Sequence, residues 1–454
     1  MGKKFKNAVL LLSSILFYMW GAPLFIFAIL ATTTLDFYLV KIMNDATSER
    51  KRKMFLVLSL CLNLGMLFYF KYCNFFVENF NMALSGLGMK QVQWTQVVLP
   101  IGISFYTFES LTYVVDVYRR LHKPLKNFWQ YQTYILLFPK LIAGPIIRYH
   151  EIGDQLTDRS ENETLNNKIS GMCRFIIGLS KKVLIANIMA EKADILFAIP
   201  ENELIPSGVA WLGMLAYTFQ IYFDFSGYSD MAIGIGRMLG FKFPENFNNP
   251  YLAGSITEFW RRWHMTLGNW MRNYLYIPLG GNKVNSRMRL YFNLWIVFLA
   301  SGFWHGAAWT FIFWGAYHGL FLVLERIFLL KVYEKIGRFV STIITFFLVA
   351  VGWIFFRSDT VTQGFAVIQS MFSFTGECPP LFIEPQFIAL LGLAFFFSFF
   401  ALSEKTRSLQ NIIYFSDYTT KQTLVFTGVA ACLYILSLAS ILSTDFNPFI
   451  YFRF

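Results

Sequence analysis

Residues 290–330 read LYFNLWIVFLASGFWHGAAWTFIFWGAYHGLFLVLERIFLL, and the length of this run decides the class of fold. A helix that crosses a bilayer needs about 20 mainly apolar residues. These 41 residues are about twice that, so the stretch is expected to break, re-enter or cross twice. Working outward, apolar runs recur at residues 7–20, 24–43, 54–76, 97–117, 129–147, 169–185, 209–225, 341–356, 387–402 and 423–442. Together they predict an all-α, polytopic membrane helical bundle with roughly 10–12 membrane segments. The chain reads as a single integral membrane domain over residues 1–454, with its chemistry-bearing motifs in 97–330 and further spans and a tail in 331–454.

Composition agrees. The 454 residues are 56% hydrophobic and 15% charged and include 52 Phe; a soluble surface needs roughly 25% charged residues. The net charge of +12 sits in short clusters between apolar runs, at Lys3, Lys4 and Lys6, at 50–53 and at 119–123. Such clusters anchor loops at an anionic leaflet, whereas nucleic-acid binding wants a basic face on a folded domain and is set aside. The five cysteines are scattered without CxxC spacing, so neither a disulfide framework nor a zinc site is indicated. Residues 1–20 have a basic start and an apolar run but no convincing cleavage site, and read as a retained first span. If the first two runs cross, residues 1–6 and 44–53 share one side; both are basic, which predicts a cytoplasmic N-terminus. The polar linkers at 148–167, 241–254, 280–289 and 403–422 are too short for a separate domain.

Among the five histidines, His122 and His150 lie in polar connecting stretches and read as solvated loop residues, while His264, His305 and His318 lie in aromatic, apolar surroundings. A charged residue inside a membrane costs about 2.5 kcal/mol or more, so an intramembrane histidine is a functional-site hypothesis by default. His305, in Ser301-Gly-Phe-Trp-His-Gly-Ala-Ala-Trp309, would be neutral, and a neutral imidazole can take a proton from a hydroxyl. The plain alternative is a histidine bonded to a neighbouring helix carbonyl. His318 repeats the Gly-x-x-His-Gly pattern thirteen residues later. On one continuous helix the two would be about 20 Å apart and rotated by roughly 220°, which predicts that one of them is structural.

His264 belongs to Glu258-Phe-Trp-Arg-Arg-Trp-His-Met-Thr-Leu-Gly-Asn-Trp-Met-Arg-Asn-Tyr274. Read as a helix, Trp260 and His264 share a face at i, i+4 and Arg261, Arg262 and Arg272 supply a polar side, as in a helix lying at or re-entering from the interface. The arginines are either an aromatic-and-arginine belt among headgroups or holders of an anionic donor, with His264 facing the reaction chamber. Asp224 and Asp230 stand at the edge of an apolar run, where helix-end hydrogen bonding is expected over a proton relay. The glycines at 234, 236 and 240 match a dinucleotide fingerprint loosely and lack a βαβ context, so that reading is rejected. No GxSxG, HExxH or P-loop occurs.

Residues 259–274, the connection Tyr276-Ile-Pro-Leu-Gly-Gly-Asn282 and Gly302-Phe-Trp-His-Gly-Ala-Ala-Trp309 together resemble the bacterial membrane-bound O-acyltransferase (MBOAT) family. Leu99-Pro-Ile-Gly-Ile-Ser-Phe-Tyr-Thr-Phe-Glu109, Phe138-Pro-Lys-Leu-Ile-Ala-Gly-Pro145 and residues 222–240 extend the resemblance over most of the first 330 residues. Chain length and the short connection look like the alginate O-acetyltransferase branch rather than the teichoic-acid D-alanylation branch. The resemblance implies an MBOAT-type bundle with a central tunnel, an invariant catalytic histidine at His305 and a second at His264. It implies acetyl-CoA as the acyl donor, arriving from the cytoplasm, with no bound cofactor and no metal. It further implies an extracytoplasmic SGNH-type acetyltransferase or esterase partner, a polysaccharide acceptor and a cell-membrane location. The end of the chain, Asn447-Pro-Phe-Ile-Tyr-Phe-Arg-Phe454, is similar to a motif of these systems in which a tyrosine carries the acyl group, which maps the relay onto Tyr451. A phenyl ester is more reactive than an alkyl ester, so such a relay conserves donor energy; a simple interfacial aromatic tail is the alternative. Two rival functions remain at this point, D-alanyl transfer and a lipid-linked sugar transporter or flippase, the latter without visible repeats.

Overall fold

The computed structural model describes residues 2–201, 203–374, 376, 378–443 and 448–450, and every regular element among them is helical. Among the described residues, six helices are long and apolar enough to cross a membrane: Phe25–Asp45, Glu49–Gly86, Trp309–Ile336, Arg338–Arg357, Pro385–Leu402 and Thr420–Ser443; Phe5–Gly21 is apolar but shorter. The chain is therefore a multi-pass membrane protein. Its helices pack as two compact units, residues 1–163 with 240–243, and residues 164–239 with 244–454.

The first unit contains α1 (Lys3–Gly21), α2 (Phe25–Asp45), α3 (Glu49–Gly86), α4 (Ile103–Tyr118), α5 (Phe128–Leu136), α6 (Phe138–Leu141) and α7 (Tyr149–Thr157). The run at 129–147, expected as one span, is split into α5 and α6 at Leu137, just ahead of Pro139, which has no N–H to continue a helix. Buried polar side chains here have partners. The Asp36 carboxylate accepts hydrogen bonds from Tyr131 at 2.8 Å, from Asn63 at 3.1 Å and from Ser59, and Lys140 meets Glu109 with both side chains buried.

The second unit opens with α8 (Leu165–Ser180), which runs through a wide turn at Lys181–Ala186 into α9 (Asn187–Phe197), and with the 32-residue α10 (Ser207–Met238). Glycines set the distance between α8 and α10. A Cβ on Gly178 would stand 2.5 Å from the Gly227 carbonyl oxygen, and one on Gly171 would stand 2.7 Å from that of Gly234. Gly234, one of the glycines rejected as a nucleotide fingerprint, thus serves close helix packing. After α11 (Ile256–Trp260) and α12 (Met265–Trp270), the 290–330 run breaks as expected, into α13 (Arg287–His305) and α14 (Trp309–Ile336). Gly306 and Ala308 between them are extended, and the helices fold back on each other as a hairpin. A Cβ on Gly302 would lie 2.2 Å from the Phe311 carbonyl oxygen, and one on Gly315 would lie 2.4 Å from that of Phe298. The unit is completed by α15 (Arg338–Arg357), α16 (Val361–Met371), α17 (Pro385–Leu402), α18 (Glu404–Phe415) and α19 (Thr420–Ser443).

Candidate functional site

The hairpin overturns the continuous-helix premise used for His305 and His318. His305 is the last residue of α13, and its ring lies 5.3 Å from that of Trp314 on α14. His318, one turn further along α14, lies 5.0 Å from the same indole. The two imidazoles therefore flank one tryptophan. Phe356 of α15 closes over His305 at 5.2 Å, and Trp260 of α11 meets His318 at 5.0 Å. His318 is fully buried, and among the described residues neither of its ring nitrogens has a hydrogen-bond partner. The same holds for the indole N–H groups of Trp260 and Trp314. Buried polar atoms are ordinarily satisfied, so a cluster of unsatisfied ones marks a place built for something other than stability.

His264 approaches this cluster from the other histidine motif. The expected helix over 258–274 does not form as one piece: α11 ends at Trp260, and His264 adopts a left-handed conformation, φ 43° and ψ 52°, as the cap before α12. A non-glycine residue there is held by its surroundings. Here the holder is Asn246. Its backbone carbonyl accepts from the N–H of Met265 at 2.9 Å. Its side-chain Oδ1 accepts from the hydroxyl of Thr266 at 2.9 Å and from the Thr266 N–H at 3.4 Å, and meets His264 Nδ1 at 3.0 Å. Since a backbone N–H can only donate, this Asn246 atom is the amide oxygen, and its Nδ2 donates to Ser229 at 3.0 Å. His264 Nδ1 must then carry the proton, leaving Nε2 as a bare lone pair. That nitrogen is buried and has no hydrogen-bond partner among the described residues. Burial pushes the imidazole down to about 3, so it is neutral at physiological pH. Its ring meets Phe225 at 4.7 Å and Trp304 at 6.3 Å, and Trp304 meets His305 at 4.9 Å.

The remaining expected site residues are distributed as follows. Arg261 and Arg272 are exposed. Arg262 is half-buried and ion-paired to Glu258 at 2.8 Å, and Arg338 holds the same carboxylate at 2.6 Å. Burial alone would raise Glu258, but the Arg338 hydrogen bond, the Gly254 N–H and the charge of Arg262 bring its carboxyl down to about 2. Tyr451 lies outside the described residues. His122 and His150 face Asp154 at 3.2 Å and Asp116 at 2.8 Å. Asp224 and Asp230 do not cap a helix end. Both lie within α10, where Lys182 reaches Asp224 at 3.0 Å while Lys181 and Arg174 reach Asp230 at 2.6 and 2.9 Å.

Sequence reasoning missed Asn246 and Lys182, and it placed His318 apart from His305. The cluster of asparagines at 246, 248 and 249 in the 241–254 linker was a visible signal; Lys182, inside a predicted span, was another.

The profile of the MBOAT, membrane-bound O-acyltransferase family, matches residues 119–355. A probable alginate O-acetylase of Pseudomonas putida is 39% identical over 100% of this chain and 95% of its own length. Its counterpart in Pseudomonas aeruginosa is 42% identical over 82% of this chain and 71% of that protein. A peptidoglycan O-acetyltransferase of Helicobacter pylori is 35% identical over 82% of this chain and 75% of its own length.

Proposed function

The chain belongs to the membrane-bound O-acyltransferase family, and from that premise we propose that it moves an acetyl group from a cytoplasmic donor toward hydroxyls of an exported cell-envelope polysaccharide. It is an O-acyltransferase. The acetyl group and the polymer class are carried over from relatives whose names specify alginate or peptidoglycan O-acetylation. In this reading the protein sits in the cytoplasmic membrane with its N-terminus inside, and acetyl-CoA is the donor. An extracytoplasmic SGNH-type protein completes delivery to the polymer. Arg261 and Arg272, exposed and uncommitted to Glu258, are the arginines best suited to meet the donor's phosphates.

The chemistry proceeds by base-assisted acyl transfer. His305 accepts the proton of the attacking hydroxyl, that of Tyr451 or of an external acceptor, as its oxygen bonds to the thioester carbonyl carbon. The tetrahedral intermediate collapses, the C–S bond breaks, and the thiolate leaves with a proton returned from the site. The indole N–H groups of Trp260 and Trp314 are buried donors available to the developing oxyanion. His264, held with Nε2 bare, orients the donor side. The observation that most supports this reading is the run of touching rings from His264 through Trp304 and His305 to Trp314, closed on one face by Phe356.

The test is to supply membranes containing the chain and its SGNH-type partner with acetyl-CoA labelled in the acetyl group. Label is expected in hydroxylamine-labile ester with wild-type protein and not with His305→Ala, and Tyr451→Phe is expected to block its passage to polymer. Label transfer that needs D-alanine instead, or none with any acyl donor while sugar lipids still cross, would overturn the reading in favour of D-alanylation or transport respectively.

A further inference from the structure

Asp224 sits in the middle of α10 with its side chain 1% exposed, and Lys182, reached across the glycine contact of α8 and α10, is its counter-ion at 3.0 Å. The pair does more than neutralise itself. The N–H of Ile450 donates to Asp224 Oδ2 at 2.8 Å, and Lys182 Nζ donates to the carbonyl of Pro448 at 3.1 Å. Between these two bonds, Phe449 stacks on Tyr228 at 4.6 Å and lies 6.1 Å from Phe225, the ring that meets His264. Phe449 and Ile450 are buried.

Two costs are met at once by this arrangement. Chain entering an apolar interior outside a helix carries N–H and C=O groups that must be satisfied, and a buried carboxylate must be paired. Asp230, six residues on, offers a contrast, because both its oxygens are occupied by Arg174 and Lys181. Asp224 meets one cation through Oδ1 and gives Oδ2 to the chain 226 residues away. Both contacts are to backbone, so they fix where the segment lies through groups that every residue carries.

We propose that Lys182 and Asp224 form a clamp that seats Pro448–Ile450 beside the histidine cluster, and that this seating is required for acyl transfer through the relay residue. The inference rests on the relay reading of Tyr451. Lys182 and Asp224 are positioning residues; neither touches the acyl group.

The test separates seating from transfer. In the full-length protein with its five native cysteines replaced, Ile450→Cys is labelled with a membrane-permeant maleimide, and O-acetyl transfer is measured in parallel with native Ile450. Slow labelling is expected beside Lys182 and Asp224, and a rise of about tenfold or more on Asp224→Ala or Lys182→Met. Transfer is expected to fall by a comparable factor, with partial retention in Asp224→Asn, whose amide oxygen can still accept from Ile450. Ile450→Pro removes the donated N–H without touching the ion pair, and is expected to lower transfer at unchanged protein abundance, which keeps the test valid if the Asp224 variants fail to fold. Labelling that does not change in folded Asp224→Ala overturns the clamp and leaves the relay reading standing. Faster labelling with full transfer overturns the positioning role together with the relay.

Discussion

Helices α8 and α10 meet through Gly178 and Gly227 as α13 and α14 meet through Gly302 and Gly315, in both cases closer than any Cβ would allow. What the two pairs do with buried polar groups differs. Between α8 and α10, Arg174 and Lys181 close on Asp230, and Arg174 also holds Glu245. Around the hairpin, His318, Trp260 and Trp314 hold polar atoms without hydrogen-bond partners among the described residues, and His264 joins them with a bare Nε2. The close approach is therefore not itself the functional signal. Paired charges make the first contact a source of order, whereas unpaired neutral nitrogens make the second a place where protons and carbonyl groups can be handled.

That contrast can be broken most strongly at Arg174. Replacing it with Met leaves Asp230 with Lys181 alone and takes the cation from Glu245, and removal of one partner of a buried pair costs about 3–5 kcal/mol. The expected result is a large loss of folded protein, read by fluorescence-detected size exclusion after heating. A smaller effect is expected from Gly315→Val, whose side chain would meet the Phe298 carbonyl. Overpacking of about 1–3 kcal/mol should lower the melting temperature and reduce transfer with it. Normal stability in that variant would show that the hairpin has room to move.

Asn246→Ala sharpens the comparison from the chemical side. It leaves His264 Nδ1 and the two Thr266 donors without their shared acceptor. Transfer is expected to fall about tenfold with modest destabilisation. Asn246→Asp, which keeps an acceptor and adds a negative charge, should retain more activity and shift the acid limb of the pH–rate profile upward. An Asp variant no better than Ala would show that Asn246 does not act through His264.

The smallest effect concerns acid. His264 is held at about 3 by burial, below the ordinary 6.5 of the unfolded chain. Between those values the unfolded state binds the extra proton, so this contribution to stability is complete above about pH 6.5 and is lost as pH falls toward 3. Melting curves of His264→Phe are expected to lose less stability than wild type on going from pH 7 to about pH 5. Parallel curves would remove His264 as the titrating group.

Much of the fold could be read from the chain because hydropathy and length are local quantities. The break in 290–330 followed from 41 residues facing a bilayer that needs about 20. His305 and His264 stood out because imidazoles among aromatic residues are costly unless used. What could not be read depends on contacts between distant residues. The left-handed turn at His264 is made by Asn246, 18 residues earlier, so an i, i+4 pattern that assumes an unbroken helix misplaced its neighbours. The same assumption separated His305 from His318, which a three-residue break and a hairpin bring to one indole. Asp224 looked like a helix-end residue because the partners that define it, Lys182 and Ile450, lie 42 and 226 residues away.

The most direct test of the central claim is the O-acetyl content of surface polysaccharide, by proton NMR, in a deletion strain complemented with wild type or His305→Ala at matched membrane abundance. A base that assists proton removal contributes about 100-fold or more, so acetyl signals are expected to disappear in the variant while the protein remains folded. Undiminished acetylation in His305→Ala would contradict the account, because the hairpin could not then be the reaction centre.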